Sequence, residues 1–239
     1  NQRIPRYDEL PLSPFGGRHS WDLAECKGVG ALGLITDADR LAVMARDAGG
    51  ALRMLSGNEV GLLLGHFLMS HAVVSKPLVV STIVSSAQLG AMARSLGVRH
   101  EETLTGLKWI ANRAIALSSE GYSLVLGFEE ALGYCVGTVV ADKDGISAAL
   151  VVGDLAAWCH SRGQTLLTYL EEIQRDHGLY LSQQFNATLP GAAGAQAIAS
   201  LMDSLRRTAL KQIGAKKVSA RNDFLRRERM ISDDVRPLE

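Results

Sequence analysis

Between residues 56 and 159 the sequence alternates between helical and extended patterns, and this constrains the fold more than any other feature. Ser56-Gly-Asn-Glu59 fits a capping box, with Ser56 as N-cap and Glu59 at the third helical position. Val60, Leu63, Leu64, Phe67 and Leu68 then recur at helical spacing. Pro77 precedes a β-rich run over 78–84. Ser85 or Ser86 is expected to cap a second helix carrying Leu89, Met92, Ala93 and Leu96 and stopping at Gly97. An extended run over 98–103, a Thr105-Gly106 turn, a helix over 108–117 and a strand over 123–128 follow. Asp142-Lys-Asp-Gly145 then opens an apolar helix over 146–159. A further helix over 165–175 closes near Gly178. Such alternation predicts an α/β fold, with a mixed, mainly parallel sheet flanked by helices. Ligands of such sheets bind beyond the carboxyl ends of the strands, where the polar loops fall.

The flanks are less regular. Residues 1–29 are broken by Pro5, Pro11, Pro14 and Gly16-Gly17. A short apolar run at 31–35 and another at 41–44 predict strands, with a hairpin turn at 47–50. Residues 186–194 are rich in Pro, Gly and Ala and are expected to form a linker, followed by a helix over 195–210. The basic tail from Lys211 has few apolar anchors and is expected to stay solvated or frayed.

Composition excludes several function classes. Lys+Arg and Asp+Glu are equal at 25 each, and aromatics are 5% of the 239 residues. A neutral, aromatic-poor chain gives no basis for nucleic-acid binding or an anionic membrane surface. Cys26, Cys135 and Cys159 are scattered and form no CxxC pair, which fits idle thiols in a reducing cytoplasm. No signal-peptide pattern opens the chain, and the apolar stretch at 60–69 is too short to span a bilayer. The six histidines are spaced so that they assemble into no site.

Four loops carry chemistry. Asp37-Ala-Asp39-Arg40 follows an apolar strand. Two carboxylates two residues apart offer hard oxygen donors to Mg²⁺, with Arg40 able to neutralise phosphate, or form an ordinary capped loop. Thr103-Leu-Thr-Gly106 with Lys108 suits an anion at a helix start, or a plain N-cap. Glu129 and Glu130 end a buried strand, where carboxylates grip sugar hydroxyls in a cleft or simply meet solvent. Asp142-Lys143-Asp144-Gly145 is a charged turn in which Asp144 can cap the next helix and Lys143 projects over the same face.

The order of the loops carries a resemblance. Asp-Ala-Asp-Arg, Ser-Gly-Asn-Glu, Val-Ser-Thr-Ile-Val-Ser-Ser, Glu-Thr-Leu-Thr-Gly-Leu-Lys-Trp, Gly-Phe-Glu-Glu-Ala-Leu-Gly and Asp-Lys-Asp-Gly occur in that sequence. Over residues 31–180 this resembles an α-D-phosphohexomutase of the phosphoglucomutase/phosphomannomutase type. The resemblance implies the end of a domain 2 with its metal loop (30–57), a sugar-binding domain 3 (58–178) and a remnant of domain 4 (179–239). It implies a cytoplasmic isomerase that interconverts hexose 1-phosphate and hexose 6-phosphate through a phosphoserine and a hexose 1,6-bisphosphate, with Mg²⁺ as cofactor. Carried over by position, Asp37 and Asp39 are metal ligands, and Arg40 lies beside the transferring phosphoryl group. Thr105, Gly106 and Lys108 lie near substrate, Glu129 holds sugar hydroxyls, Ala131 stands where many members have Ser, and Lys143 contacts phosphate.

Three positions depart from the family pattern. Ile35 replaces the first aspartate of the metal loop, which should weaken metal binding. No Thr-Ala-Ser-His-Asn-Pro motif occurs among the 239 residues. Arg236-Pro237 is followed by Leu-Glu rather than Ser-Gly-Thr-Glu. The resemblance thus implies a chain that supplies metal and sugar loops without the phosphoserine. A non-catalytic phosphosugar-binding paralogue and an inactive fragment are the alternative readings.

Overall fold

A computed structural model describes residues 31–35, 38–47, 49–182, 188–208, 210–231 and 234–237. The chain forms two compact units, divided between Ser182 and Gln183.

The first unit is built on a seven-stranded sheet. Its strands are β1 (Ala31–Ile35), β2 (Arg40–Arg46), β3 (Leu52–Met54), β4 (Pro77–Thr82), β5 (Arg99–Thr103), β6 (Ser123–Glu129) and β7 (Gly133–Val136). The order is β1-β2-β7-β6-β4-β5, with β3 pairing β2. The β6-β4-β5 core is parallel, as βαβ crossovers require. β7, β2, β1 and β3 extend it antiparallel. The expected α/β fold with a mixed sheet is present. Two short strands, β3 and β7, were not legible in the sequence. They have three and four residues, too few for a period-2 pattern to register.

Five helices cover this sheet: α1 (Gly57–Ser70), α2 (Gln88–Ser95), α3 (Leu107–Ser118), α4 (Gly145–Ser161) and α5 (Leu166–His177). Alternation along β4 assigns the faces. Leu78 and Val80 pack with Leu107, Ile110 and Leu117 of α3. Val79 points the other way, into a larger core with Leu63 and Leu64 of α1, Leu89 and Met92 of α2, Leu155 of α4 and Tyr169 and Ile173 of α5. Burial on both faces explains why β4 reads as a continuous apolar run.

The helix ends follow local chemistry. The Ser56–Glu59 capping box closes as expected, with Ser56 N donating to Glu59 Oε2 at 2.8 Å and Glu59 N to Ser56 Oγ at 3.3 Å. Asp144 caps α4 through the N–H groups of Ile146 and Ser147, both at 3.0 Å. α5 stops at Gly178, with φ 90°. At α2 the expectation needs correcting: Ala87 is the N-cap and makes no side-chain bond. Ser86 Oγ still accepts the N–H of Gln88 at 3.3 Å, because Asn58 Oδ1 already holds the N–H of Ser86.

The second unit holds α6 (Gly191–Arg207) and short strands β8 (Gln212–Ile213), β9 (Lys216–Lys217), β10 (Arg221–Asp223), β11 (Glu228–Ile231) and β12 (Asp234–Pro237). The expected linker ends earlier than the composition suggested, since Gly191 begins the helix. The basic tail is not frayed; it forms a two-stranded and a three-stranded antiparallel sheet. Arg206 at the end of α6 and Arg221 of the tail find partners that a charge count cannot reveal. Arg206 Nε lies 3.4 Å from Asp223, and Arg221 Nη1 donates to Leu205 O at 2.5 Å.

Candidate functional site: a carboxylate and a lysine across the strand ends

The parallel core brings three strand ends together. Thr82 at the end of β4 pairs with Thr103 at the end of β5, and Ser81 of β4 with Phe128 of β6. The loops after these strands therefore share one edge of the sheet. The chain turns into α3 at Gly106 with φ 114°, a conformation only glycine adopts without strain. The Gly106 N–H faces Glu129 and donates to its Oε1 at 2.5 Å. The amide read from the sequence as an anion donor thus meets a carboxylate of the chain itself, at a helix N-terminus that favours negative charge. One oxygen of Glu129, Oε2, remains beside Gly133.

A row across three strands places the remaining groups. Glu129 of β6 pairs with Gly133 of β7, and Gly133 pairs with Arg40 of β2. Lys143 crosses over this row. A methyl group on Gly133 would lie 2.9 Å from Lys143 Cδ and 3.6 Å from Glu129 Oε2. The lysine stem and the carboxylate therefore flank the same bare backbone. The Lys143 ammonium lies 3.6 Å from Asp39 Oδ2 and 3.6 Å from Asp142 Oδ1. Arg40 Nε is 4.0 Å from the same Asp39 oxygen. The Asp39 turn passes through Ala38 at φ 57° and is held to α4 by Gly145 N donating to Ala38 O at 3.0 Å. Asp144 stays anionic below the usual carboxylate range. Burial opposes this, and hydrogen bonds from Ser147 and from the Ile146 amide overcome it.

The structure thus brings Asp39, Arg40, Gly106, Glu129 and Lys143 to one neighbourhood. Thr105 is exposed on the same loop as Gly106, Lys108 is exposed in the first turn of α3, and Lys108 Nζ sits 5.3 Å from the Trp109 ring. Ala131 is exposed at the loop tip, beside Leu132 at φ 65°. Asp37 lies outside the described residues. Sequence reasoning placed Gly133 in the motif with the two glutamates but gave no role to it, to Thr82 or to Ser85. Gly133 carries no chemistry of its own, so only the cross-strand row reveals it. Thr82 and Ser85 lie in the Val-Ser-Thr-Ile-Val-Ser-Ser run, whose serines and threonine gave no hint of a partner 45 residues on. Thr82 Oγ1 and Ser85 Oγ in fact reach Glu130 Oε2 at 3.4 and 3.2 Å.

Two of the histidines lie close together in the packing. His66 and His177 approach with ring centroids 5.3 Å apart, and His66 Nδ1 meets the Tyr169 hydroxyl at 2.5 Å. Packing of α1 on α5 brings them together, not spacing along one helix. Among the described residues no group of three His, Cys, Asp or Glu side chains could enclose a metal.

Comparison with known proteins shows what the chain is similar to. The family model for phosphoglucomutase/phosphomannomutase, alpha/beta/alpha domain III, matches residues 56–176, just over half of the chain. A Schizosaccharomyces pombe protein named a probable phosphoribomutase is 34% identical over 216 residues, covering 86% of this chain and 36% of the relative. The Homo sapiens phosphopentomutase is 38% identical, covering 62% and 25% respectively. A Haemophilus influenzae protein named a probable phosphomannomutase is 37% identical, covering 81% and 38%. The chain thus spans between a quarter and two fifths of the length of these relatives. The Paramecium phosphoglucomutase pp63/parafusin shares the fold with TM-score 0.52 at 19% identity, covering 86% of this chain and 34% of that one. The domain match, the order of its loops and the convergence of those loops at one sheet edge have a single reading: this chain belongs to the phosphoglucomutase/phosphomannomutase family.

Proposed function

We propose that the chain is the sugar-reading portion of a phosphomutase that moves a phosphoryl group between the anomeric hydroxyl and the terminal hydroxyl of an aldose phosphate. The observation that carries this is the placement of Glu129 Oε2 and the Lys143 stem on either side of Gly133. A carboxylate that has already spent one oxygen on Gly106 keeps its other for sugar hydroxyls. A lysine a few ångströms away supplies a mobile positive charge for phosphate. Lys108 adds a second cation beside Thr105 and Gly106, and Arg40 a third beside Asp39. Phosphoryl transfer is mostly positioning and charge neutralisation, which such an array serves. Ala131 offers no hydroxyl, so the sugar contact rests on Glu129.

Magnesium is the cofactor of this reading. Among the described residues the loop offers one hard oxygen donor, the Asp39 carboxylate, with 35% of its side chain exposed. That donor chemistry fits a cation that keeps several waters and takes one or two carboxylates. Asp39 with Asp37 would hold it. When bound, it would neutralise charge on the phosphoryl group. Arg40 and Lys143 do the same from the protein side. In the complete reaction the phosphoryl carrier would be a serine outside these 239 residues, and a sugar bisphosphate would be the intermediate. Cys135 and Cys159 are free and buried, which suits a reducing cytoplasm. No helix among the described residues is long and apolar enough to cross a membrane.

Hexose phosphate, glucose or mannose, is the first substrate to test. Pentose phosphate is the second reading, because relatives named probable phosphoribomutase and phosphopentomutase are 34% and 38% identical to this chain over the aligned residues. Isothermal calorimetry on the 239-residue chain with glucose, mannose and ribose phosphates tests both. We expect one class to bind and Glu129→Ala to weaken it by roughly tenfold, the value of a hydrogen bond to a charged group. Mg²⁺ affinity should be unchanged. Absence of binding by all three sugars at millimolar concentration would overturn the proposal.

A further inference from the structure

The two adjacent acids that end β6 do different things. Glu129 turns to α3, while Glu130 turns to the loop after β4. There Ser85 Oγ donates to Glu130 Oε2 at 3.2 Å, and Thr82 Oγ1 lies 3.4 Å from the same oxygen. The two hydroxyls are bonded to each other at 2.7 Å. Glu130 also returns its own backbone N–H to Ser85 Oγ at 3.3 Å. Ser85 and Thr82 are buried, at 9% and 0% exposure, so this small network works in a region of low dielectric. The Glu130 carbonyl faces the start of α1, where a methyl group on Gly57 would fall 1.9 Å from it. Two residues on, Leu132 O accepts the N–H of Leu41, the residue after Arg40. Glu130 is thus fixed by its amide and its carboxylate.

We propose that Glu130 is a positioning residue. Through Ser85 and Thr82 it fixes the peptide that follows Glu129, and so aims the Glu129 carboxylate at Gly106 and at the sugar. It does not bind the sugar itself. The reason is geometric. Successive residues at a strand end point to opposite sides, so the direction of Glu129 is set by how the Glu130 amide and carboxylate are clamped. The same loop carries Leu132 at φ 65°, a left-handed conformation that a leucine adopts only when its neighbours are clamped.

The effect on sugar affinity rests on the phosphosugar reading above; the effect on the Gly106 amide does not. The test is carried out on the 239-residue chain with Glu130→Ala, Glu130→Gln, Ser85→Ala and the Glu130→Ala/Ser85→Ala pair. Hydrogen exchange of the Gly106 amide and sugar-phosphate affinity are measured together. Glutamine keeps an oxygen acceptor for both hydroxyls, so Glu130→Gln should match the parent chain in both measurements. Glu130→Ala and Ser85→Ala should each speed exchange of the Gly106 amide on the order of tenfold, by freeing Glu129. Each should weaken sugar binding by a similar factor, and the double variant should be no worse than either single one, as one network requires. Unchanged Gly106 exchange in Ser85→Ala would overturn the proposal, even if Glu130→Ala failed to fold. So would a Glu130→Gln loss as large as that of Glu130→Ala, which would place Glu130 on the sugar by its charge. Should no sugar phosphate bind the parent chain, the phosphosugar reading falls and the Gly106 amide still decides the role of Glu130.

Discussion

At the scale of single residues the site depends on what is missing from Gly133. Its φ and its hydrogen bonds are those of an ordinary strand residue, and its worth is the space it leaves. Lys143 lies across its face, 2.9 Å from where a methyl carbon would stand, with Glu129 Oε2 at 3.6 Å. Gly133→Ala should therefore displace the lysine stem from the carboxylate. The far end of a flexible side chain yields cheaply, so the fold should survive with its urea midpoint little changed. Sugar-phosphate affinity should fall by roughly tenfold, which calorimetry of the variant beside its parent would read. A loss of stability without loss of affinity would mean that Gly133 serves packing alone. Nothing in the residue type announces this role. The Glu-x-x-x-Gly spacing becomes meaningful only when the turn at 130–132 folds β7 back on β6.

At the scale of elements, α4 carries the lysine to its place. Its first turn is fixed by Asp144, which accepts from the Ile146 and Ser147 amides at 3.0 Å and from the Ser147 hydroxyl. Asp144→Ala removes that cap and should cost about 1 kcal/mol, read as a lower urea midpoint at unchanged slope. Asp144→Ser should recover most of it. This element was legible, because caps are written in residues two or three apart. The start of α2 was less so. Two serines were candidates for the cap, and Ala87 holds the position instead, with the Ser86 amide bonded to Asn58 of α1. Strand β7 was illegible for a similar reason: Gly133-Tyr-Cys-Val136 is short, and its status comes from pairing with β6 and β2 rather than from alternation.

At the scale of the first unit, two half-buried imidazoles make stability sensitive to pH. His66 of α1 touches Tyr169 and His177 of α5, and His100 of β5 meets Ser81 Oγ at 3.0 Å. Burial pushes the pKa of His66 down, as does the neighbouring His177; Glu172 and Asp176 oppose this and His71 adds to it. Burial likewise lowers His100, with Glu102 opposing and Arg94 assisting. Both folded pKa values thus lie below 6.5, so the unfolded chain takes up protons that the folded chain refuses. Their contribution is fully present above pH 6.5 and is lost as pH falls towards the folded values. Urea midpoints measured from pH 7.5 to pH 5 should decline, and His66→Phe should flatten the slope. A midpoint constant over that range would show that neither imidazole stays neutral in the folded state. The thiols behave oppositely: burial pushes Cys135 and Cys159 up to about 11, so neither is a thiolate at neutral pH.

The sequence by itself determined the helices with their caps, the parallel core of the sheet and the loops that carry chemistry. These depend on residues a few positions apart: the Ser56–Glu59 box, the helical spacing that follows it, the buried run of β4. Only the tertiary structure decided how the loops meet. The row from Glu129 through Gly133 to Arg40 joins segments about 90 residues apart, and no local period encodes such a pairing. It also separated Glu129 from Glu130, which look equivalent in sequence, because one meets an amide at a helix start and the other a pair of buried hydroxyls. The second unit makes the same point: Arg206 at the end of α6 pairs with Asp223, and Arg221 donates to the Leu205 carbonyl. Charge is legible in a sequence; the partner that neutralises it is a property of the fold.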